Sequence, residues 1–329
     1  MSESKNPKSV GAIARRLQVV QSRKRALTEA QQKLIDTSVS LFDESPSARD
    51  AAFIARELVL ASLPHSNPGD RALWTRRNGH VTLAIQPGVN IQTGKSYGYP
   101  YGIIPRLLLF WITTEALRTQ SHRLELGSSL SGFMTDLGLS PYTGRGKRGD
   151  AKRLRDQMER LFRSRFSLER LEEDGTRIGK SWIDMQIAPQ GELWWSVRAP
   201  DQTALWGSWI ELGELFYTAI TSAPVPVDMR ALRALKRSPL ALDLYAWLTF
   251  QAYRSHQSGR PRFETWQQIH SHMGGDYTDI ADFRKKVKAT LRKILPVYPG
   301  LRLSGRQGGM EVFPESLPAI QPRELAPDG

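Results

Sequence analysis

From Leu27 onward apolar residues recur at helical spacing, with Leu27, Leu34 and Leu41 in line and Ile35, Val39 and Phe42 beside them, which predicts a helix. A second helical stretch is expected over 48–63. Pro64 stops it, and the segment HSNPGD at 65–70 is rich in turn formers. Alternating positions then predict a hairpin, 81–86 against 89–92, around Pro87-Gly88. After a Tyr/Gly loop at 97–102, the run PRLLLFWITTEALR predicts a helix over 104–118, with Pro105 in the first turn, where a missing N–H costs little. A short strand is expected at 123–126. Ser128 or Ser129 then caps a helix through Leu137 that keeps Leu130, Phe133 and Leu137 on one face. The turn GLSPYTGRGKRG at 138–149 leads to Asp150, an N-cap for a helix reaching about Arg165. Strands 166–171 and 177–187 follow around Asp174-Gly175, with a third at 193–198.

The same order returns further along. A long helix is expected over 229–253, with Pro239 at an internal break, and a short strand at 262–263. Thr265 caps a helix through Met273 that Gly274-Gly275 ends; Asp279 caps another to about Leu295. Strands 301–303 and 310–313 form a hairpin around 304–309. Aligning Trp111 with Trp247 places Leu126 near Phe263, Phe133 near Ile269 and Leu154 near Phe283. Helix, strand, helix, helix, hairpin is the winged-helix order, and it occurs twice. The expected fold is therefore α+β: two tandem winged-helix domains at 97–206 and 207–314. They follow a basic arm at 1–26 and a helical and hairpin extension at 27–96, and a Pro-rich tail closes the chain at 315–329.

Charge says what such domains would meet. The 46 Lys and Arg residues outnumber 33 Asp and Glu, a net charge of +13, so the expected partner is acidic: nucleic acid or an anionic membrane. The longest apolar run, 103–112, is broken by Pro105 and Arg106 and is too short to span a bilayer, which leaves nucleic acid and no membrane. The first 17 residues lack the apolar core of a secretory signal, and the chain has no cysteine, so a cytoplasmic setting without disulfides is expected. The two third helices concentrate the charge. In the first, Leu154, Met158, Leu161 and Phe162 face inward and Lys152, Arg153, Arg160 and Arg163 outward, with Arg145, Lys147 and Arg148 in the preceding turn. In the second, Ile280, Phe283, Val287, Leu291 and Ile294 make the inner stripe, and Arg284, Lys285, Lys286, Lys288, Arg292 and Lys293 are the accompanying cations. A basic stripe on one helix is equally a solvated face; two in the same structural position point to double-stranded DNA, read in the major groove. The hairpins add Arg177 and Lys180 in the first unit and Arg302 and Arg306 in the second, positioned as wing contacts to the backbone or minor groove.

Other motifs carry less. The stretch GVNIQTGKS at 88–96 resembles a phosphate-binding loop but has one residue too many between its glycines, and Tyr97-Gly98-Tyr99-Pro100 resists the helix that must follow. His270-Ser271-His272 resembles the metal motif of nicking enzymes, but falls on an expected helix with no completing carboxylates. Trp182, Trp194, Trp195, Trp206 and Trp209 are expected to pack in the core or between domains rather than to stack bases. No catalytic constellation emerges, so no enzyme activity, metal or cofactor is expected.

The phrases YGIIPRLLLFWITTEALRT (101–119), LGSSLSGFMTDLGL (126–139), GRGKRGDAKRLRDQMERLF (144–162) and SPLALDLYAWLTF (238–250) resemble the plasmid-encoded RepA replication initiators. The likeness spans 97 to about 313. It implies a bacterial protein that binds repeated origin sites, helps melt the adjacent duplex and recruits host replication proteins: the helicase, its loader and the host initiator. It implies no chemistry of its own, and a homodimer that represses its own promoter. The rival expectations are a winged-helix repressor without initiator activity, and a rolling-circle nicking initiator.

Overall fold

Thr28 opens the first helix. Its hydroxyl accepts from the Gln31 backbone at 3.3 Å while the Gln31 side chain accepts from the Thr28 backbone at 2.9 Å, a reciprocal cap that satisfies two otherwise stranded donors. Helix α1 spans Glu29–Asp43. The structure is a computed structural model that describes residues 28–44, 46–47, 50–140, 149–194, 207–273 and 277–320. The expected basic arm, Arg145, Lys147 and Arg148, Trp195, Trp206, Gly274-Gly275 and the end of the tail lie outside them.

The stretch expected to be helical over 48–63 divides into strand β1 (Ala51–Ala55) and a short helix α2 (Arg56–Leu60). Alanine favours a helix, but β1 pairs residue for residue with Pro224–Asp228 from far along the chain, and four of its five side chains are buried. Tertiary pairing outweighs a propensity of a few tenths of a kcal/mol per residue. The expected partner of 81–86 is also corrected. Strand β3 (Val81–Gln86) turns back on β2 (Trp74–Asn78) across Gly79-His80, where Gly79 has φ +56°. The expected partner stretch 89–92 forms no strand and carries an isolated bridge, Val89 to Ser96.

The first winged-helix unit follows: α3 (Ile103–Thr119), β4 (Arg123–Glu125), α4 (Leu130–Asp136) capped by Ser129, and α5 (Asp150–Phe162). Gly149, not Asp150, is the N-cap of α5; Asp150 is the first helical residue and pairs with Arg153 at 3.1 Å. Strands β5 (Arg165–Asp174) and β6 (Arg177–Gln186) form the expected long hairpin, but it joins β2 and β3 in a sheet ordered β2-β3-β5-β6. The next strands, β7 (Gln190–Glu192) and β8 (Trp209–Glu211), make a separate sheet ordered β4-β8-β7.

The second unit explains the difference. After α6 (Glu214–Ser222) and β9 (Pro224–Asp228) come α7 (Met229–Leu235), α8 (Pro239–Ser258), β10 (Arg262–Thr265), α9 (Trp266–Met273), α10 (Ile280–Ile294), β11 (Leu303–Arg306) and β12 (Gly309–Val312). Its sheet is ordered β10-β12-β11, the same order as β4-β8-β7. The wing of the first unit is therefore β7–β8, and β5–β6 is an inserted hairpin paired with the N-terminal strands. The first unit thus reaches past the expected boundary at 206, and the expected extension at 27–96 shares a sheet with it. The sequence hid this because Asp174-Gly175 is a strong turn signal, whereas β7 and β8 have three residues each and show no period. The single helix expected over 229–253 is two helices. Ser238 caps the second by accepting from the Ala241 N–H at 3.2 Å, and Pro239 sits at its first position.

Buried side chains of both units form one contiguous core. Within it Arg106 of α3, 2% exposed, meets Asp243 of α8. Its Nε donates to Asp243 Oδ1 at 2.7 Å and its Nη2 to Oδ2 at 2.8 Å. The remaining N–H groups donate to the carbonyls of Leu63, Pro64 and Gly102, and His65 Nε2 lies 2.8 Å from Asp243 Oδ2. Every guanidinium donor has an acceptor, the condition under which a buried pair can offset its desolvation. Burial alone would raise the Asp243 carboxyl, but Arg106 and the bonds from His65 and Arg106 hold it well below the usual carboxylate range.

Replacing Asp243 by Asn leaves a buried guanidinium without its counter-charge and is expected to cost about 3–5 kcal/mol in denaturant unfolding. A loss under about 1 kcal/mol would show that the pair is dispensable. Acid should also destabilise the fold. His272, edge-on to Trp247 at 6.0 Å, is pushed down to about 4 by burial, and burial likewise lowers His65. The unfolded chain then takes up protons first, so stability present above pH about 6.5 is lost as pH falls towards 4. Urea midpoints measured from pH 7 to 4.5 should decline, and less steeply in His272→Leu.

Candidate nucleic-acid interface

Helix α10 is the more open of the two third helices. Asp279 caps it by accepting from the Ala281 N–H at 2.9 Å, and Phe283, Val287, Thr290, Leu291 and Ile294 are buried. Ile280, expected on the inner stripe, is 39% exposed because it is the first helical residue and precedes the packed turns. Arg284, Lys285, Lys286, Lys288, Arg292 and Lys293 are all exposed. Among the described residues none of the six has an ion-pair partner within 4.0 Å, so their charge faces solvent uncompensated.

Helix α5 spends more of its charge on the protein. Leu154, Met158, Leu161 and Phe162 pack inward as expected, and Gln157 joins them to accept from the Tyr101 N–H at 2.9 Å. Arg160, expected on the outer face, is half-buried. Its Nη1 donates to Tyr99 O at 3.3 Å, and its guanidinium lies 5.4 Å from the Tyr101 ring. Gly98, at φ +80°, lies so close that a Cβ there would stand 2.7 Å from Arg160 Nη1. Arg160 thus organises the loop before α3. Lys152 is half-buried, while Arg153 and Arg163 are exposed.

Two of the four hairpin cations are placed differently from expectation. Arg177 and Lys180 lie on β6 in the inserted sheet, not on the wing, and Lys180 pairs with Glu169 at 2.6 Å. Arg306 pairs with Glu311 at 2.6 Å across β11 and β12, and Arg302 donates to the carbonyls of Pro299 and Leu301. Trp182 and Trp194 are 69% and 55% exposed, against the expected core packing, because the first half of β6 is exposed throughout and Trp194 lies in the connection between β7 and β8. Trp209 is half-buried beneath Arg123, whose guanidinium sits 3.9 Å from its ring.

The stretch 88–96 closes on itself as a turn: Asn90 N–H donates to Lys95 O at 2.8 Å and Tyr97 N–H to Gly88 O at 2.9 Å. Gly88 is required because a Cβ would come within 2.3 Å of Arg163 O. No helix follows Lys95-Ser96 until Ile103, so the phosphate-loop geometry is missing. His270 Nε2 donates to Tyr277 O at 2.8 Å, while His272 is buried. Sequence reasoning missed Arg233, Lys236 and Arg237. They sit at the corner between α7 and α8, which the expected continuous helix concealed; the Ser238-Pro239 pair, an N-cap followed by a first-turn proline, was the available signal.

Two winged-helix units joined through a buried ion pair, the second with an open basic third helix, define a tandem winged-helix protein. The family described as "Plasmid encoded RepA protein" matches residues 99–268, more than half of the chain, and the chain belongs to that family of plasmid replication initiators. Among solved structures the chain is similar to domains 2 and 3 of RctB, at 11% identity. One such structure gives a TM-score of 0.45, covering 76% of this chain and 93% of that one; another gives 0.41, covering 78% and 95%. No curated protein matches the chain in sequence. Among the described residues no helix is long and apolar enough to cross a membrane.

If α10 meets DNA, Lys285→Ala with Lys286→Ala should weaken binding by about 2 kcal/mol at low salt, since neither side chain has an ion-pair partner to lose among the described residues. Arg160→Ala should instead lower the unfolding midpoint. Gel-shift titrations beside thermal melts separate the two, and an unchanged affinity of the Lys pair would remove α10 from the interface.

Proposed function

We propose that this replication initiator binds repeated origin sites in double-stranded plasmid DNA through its two third helices, promotes opening of the adjacent duplex and recruits the host helicase, its loader and the host initiator. The observation that carries the reading is the face of α10, six exposed cations with no ion-pair partner among the described residues. A helix of that charge in the third position suits the major groove, where Arg and Lys meet guanine edges while neighbouring cations pair phosphates. The first unit contributes through Lys152, Arg153 and Arg163. The chain performs no chemistry of its own and uses no cofactor; it acts in the bacterial cytoplasm beside its plasmid, and a homodimeric form represses its own promoter.

A footprint of the purified protein on its plasmid's origin region, with mixed-sequence DNA as competitor, tests this. Several protected direct repeats are the expected result. Protection of a promoter palindrome alone would make the protein a repressor, and a covalent nick in a supercoiled origin would make it an enzyme.

A further inference from the structure

A cleft of about 340 Å³ opens where the two units meet. Arg153, Asp156 and Arg160 of α5 line it on one side and Arg237 and Pro239 of the α7–α8 corner on the other, with Tyr101 also in the lining. Arg160 is fixed on the Tyr99 carbonyl and the Tyr101 ring, and Arg153 is held by Asp150. Arg237 differs: it is exposed and has no hydrogen-bond or ion-pair partner among the described residues. Its backbone is nonetheless well placed. The Lys236 ammonium donates to Gly138 O, the Ser238 N–H donates to Leu235 O at 3.2 Å, and the Arg233 stem packs so near Gly138 that a Cβ there would lie 3.2 Å from its Cγ. Gly138 begins the turn that leads into α5. The corner of the second unit is thus pinned against the helix–turn–helix of the first.

We propose that Arg237, together with Arg153, grips a backbone phosphate of the duplex in this cleft, so that the second unit completes the phosphate contacts of the first unit's third helix. The inference rests on the DNA-docking reading above and adds to it a contact shared between the units. A guanidinium presents a flat fork of donors that matches a phosphodiester, and the positive end of α8, whose first residue Pro239 lines the cleft, favours the same anion. The need is local. With Arg160 held by the Tyr99 carbonyl and one nitrogen of Arg153 engaged by Asp150, α5 offers few fully uncommitted cations of its own. The contact also depends on the junction, because His65 and Gly102, both bonded into the Arg106–Asp243 network, line the same cleft.

The test uses the full chain on origin duplex and reads the dependence of affinity on salt. Removing one phosphate contact should reduce the steepness of log K against log salt by about 0.9 in Arg237→Ala, and Arg237→Lys should retain it. A single methylphosphonate linkage, scanned along the site, should weaken the wild type at one junction position and leave Arg237→Ala indifferent there. An unchanged slope in Arg237→Ala, alongside weakened binding by the Lys285→Ala, Lys286→Ala variant, would sink this inference and leave the docking reading intact. A wild type with no affinity for duplex would overturn the docking reading and this contact with it. Inorganic phosphate that stabilised the wild type but not Arg237→Ala, with the DNA slope unchanged, would assign the cleft to a small anion instead.

Discussion

The pairing of Arg106 with Asp243 fixes how the two halves of this protein can sit. A charge placed in a hydrocarbon interior is costly unless its partner and all its hydrogen bonds are present. The first helix of one unit therefore cannot slide against the first helix of the other without stranding a guanidinium and a carboxylate. Apolar packing alone would tolerate small shifts between α3 and α8, whereas directional bonds at 2.7 and 2.8 Å do not. The pairing of β1 with β9 ties the N-terminal segment to the start of the second unit and closes the junction on another side.

That rigidity bears on the cations. A basic surface contributes to DNA docking only where its charges are free and correctly spaced. The second unit keeps its charges free on α10, and the first has committed several to its own fold. Arg160 braces a loop, and Lys180 braces the inserted sheet. The two units are duplicates in topology but not in how their charge is used, and a fixed junction allows the corner of one to supply what the third helix of the other lacks.

The duplicated order of helices was legible because each helix has its own period and its own cap. Ser129, Asp279 and the Thr265–Gln268 pair mark helix starts within two residues of where they stand, and Leu154, Met158, Leu161 and Phe162 mark an inner face that the structure keeps. These are local signals, read within a few turns of chain. The family likeness rests on the same stretches, and the match over residues 99–268 covers all of α3 to α8.

What the sequence determined by itself is the set of elements that satisfy their needs locally: the amphipathic helices, their caps, the Asp174-Gly175 hairpin and the excess of positive charge. Only the tertiary structure decided which strands pair and which cations remain free. Ala51–Ala55 is a strand because a distant strand meets it, and β5–β6 is an insertion because β2–β3 covers its edge. Arg160 and Glu311-bound Arg306 look in sequence like any exposed arginine until the carbonyl, ring or carboxylate that holds them is brought near. Strand pairing and charge neutralisation are contacts between residues far apart in the chain, and no local period encodes them.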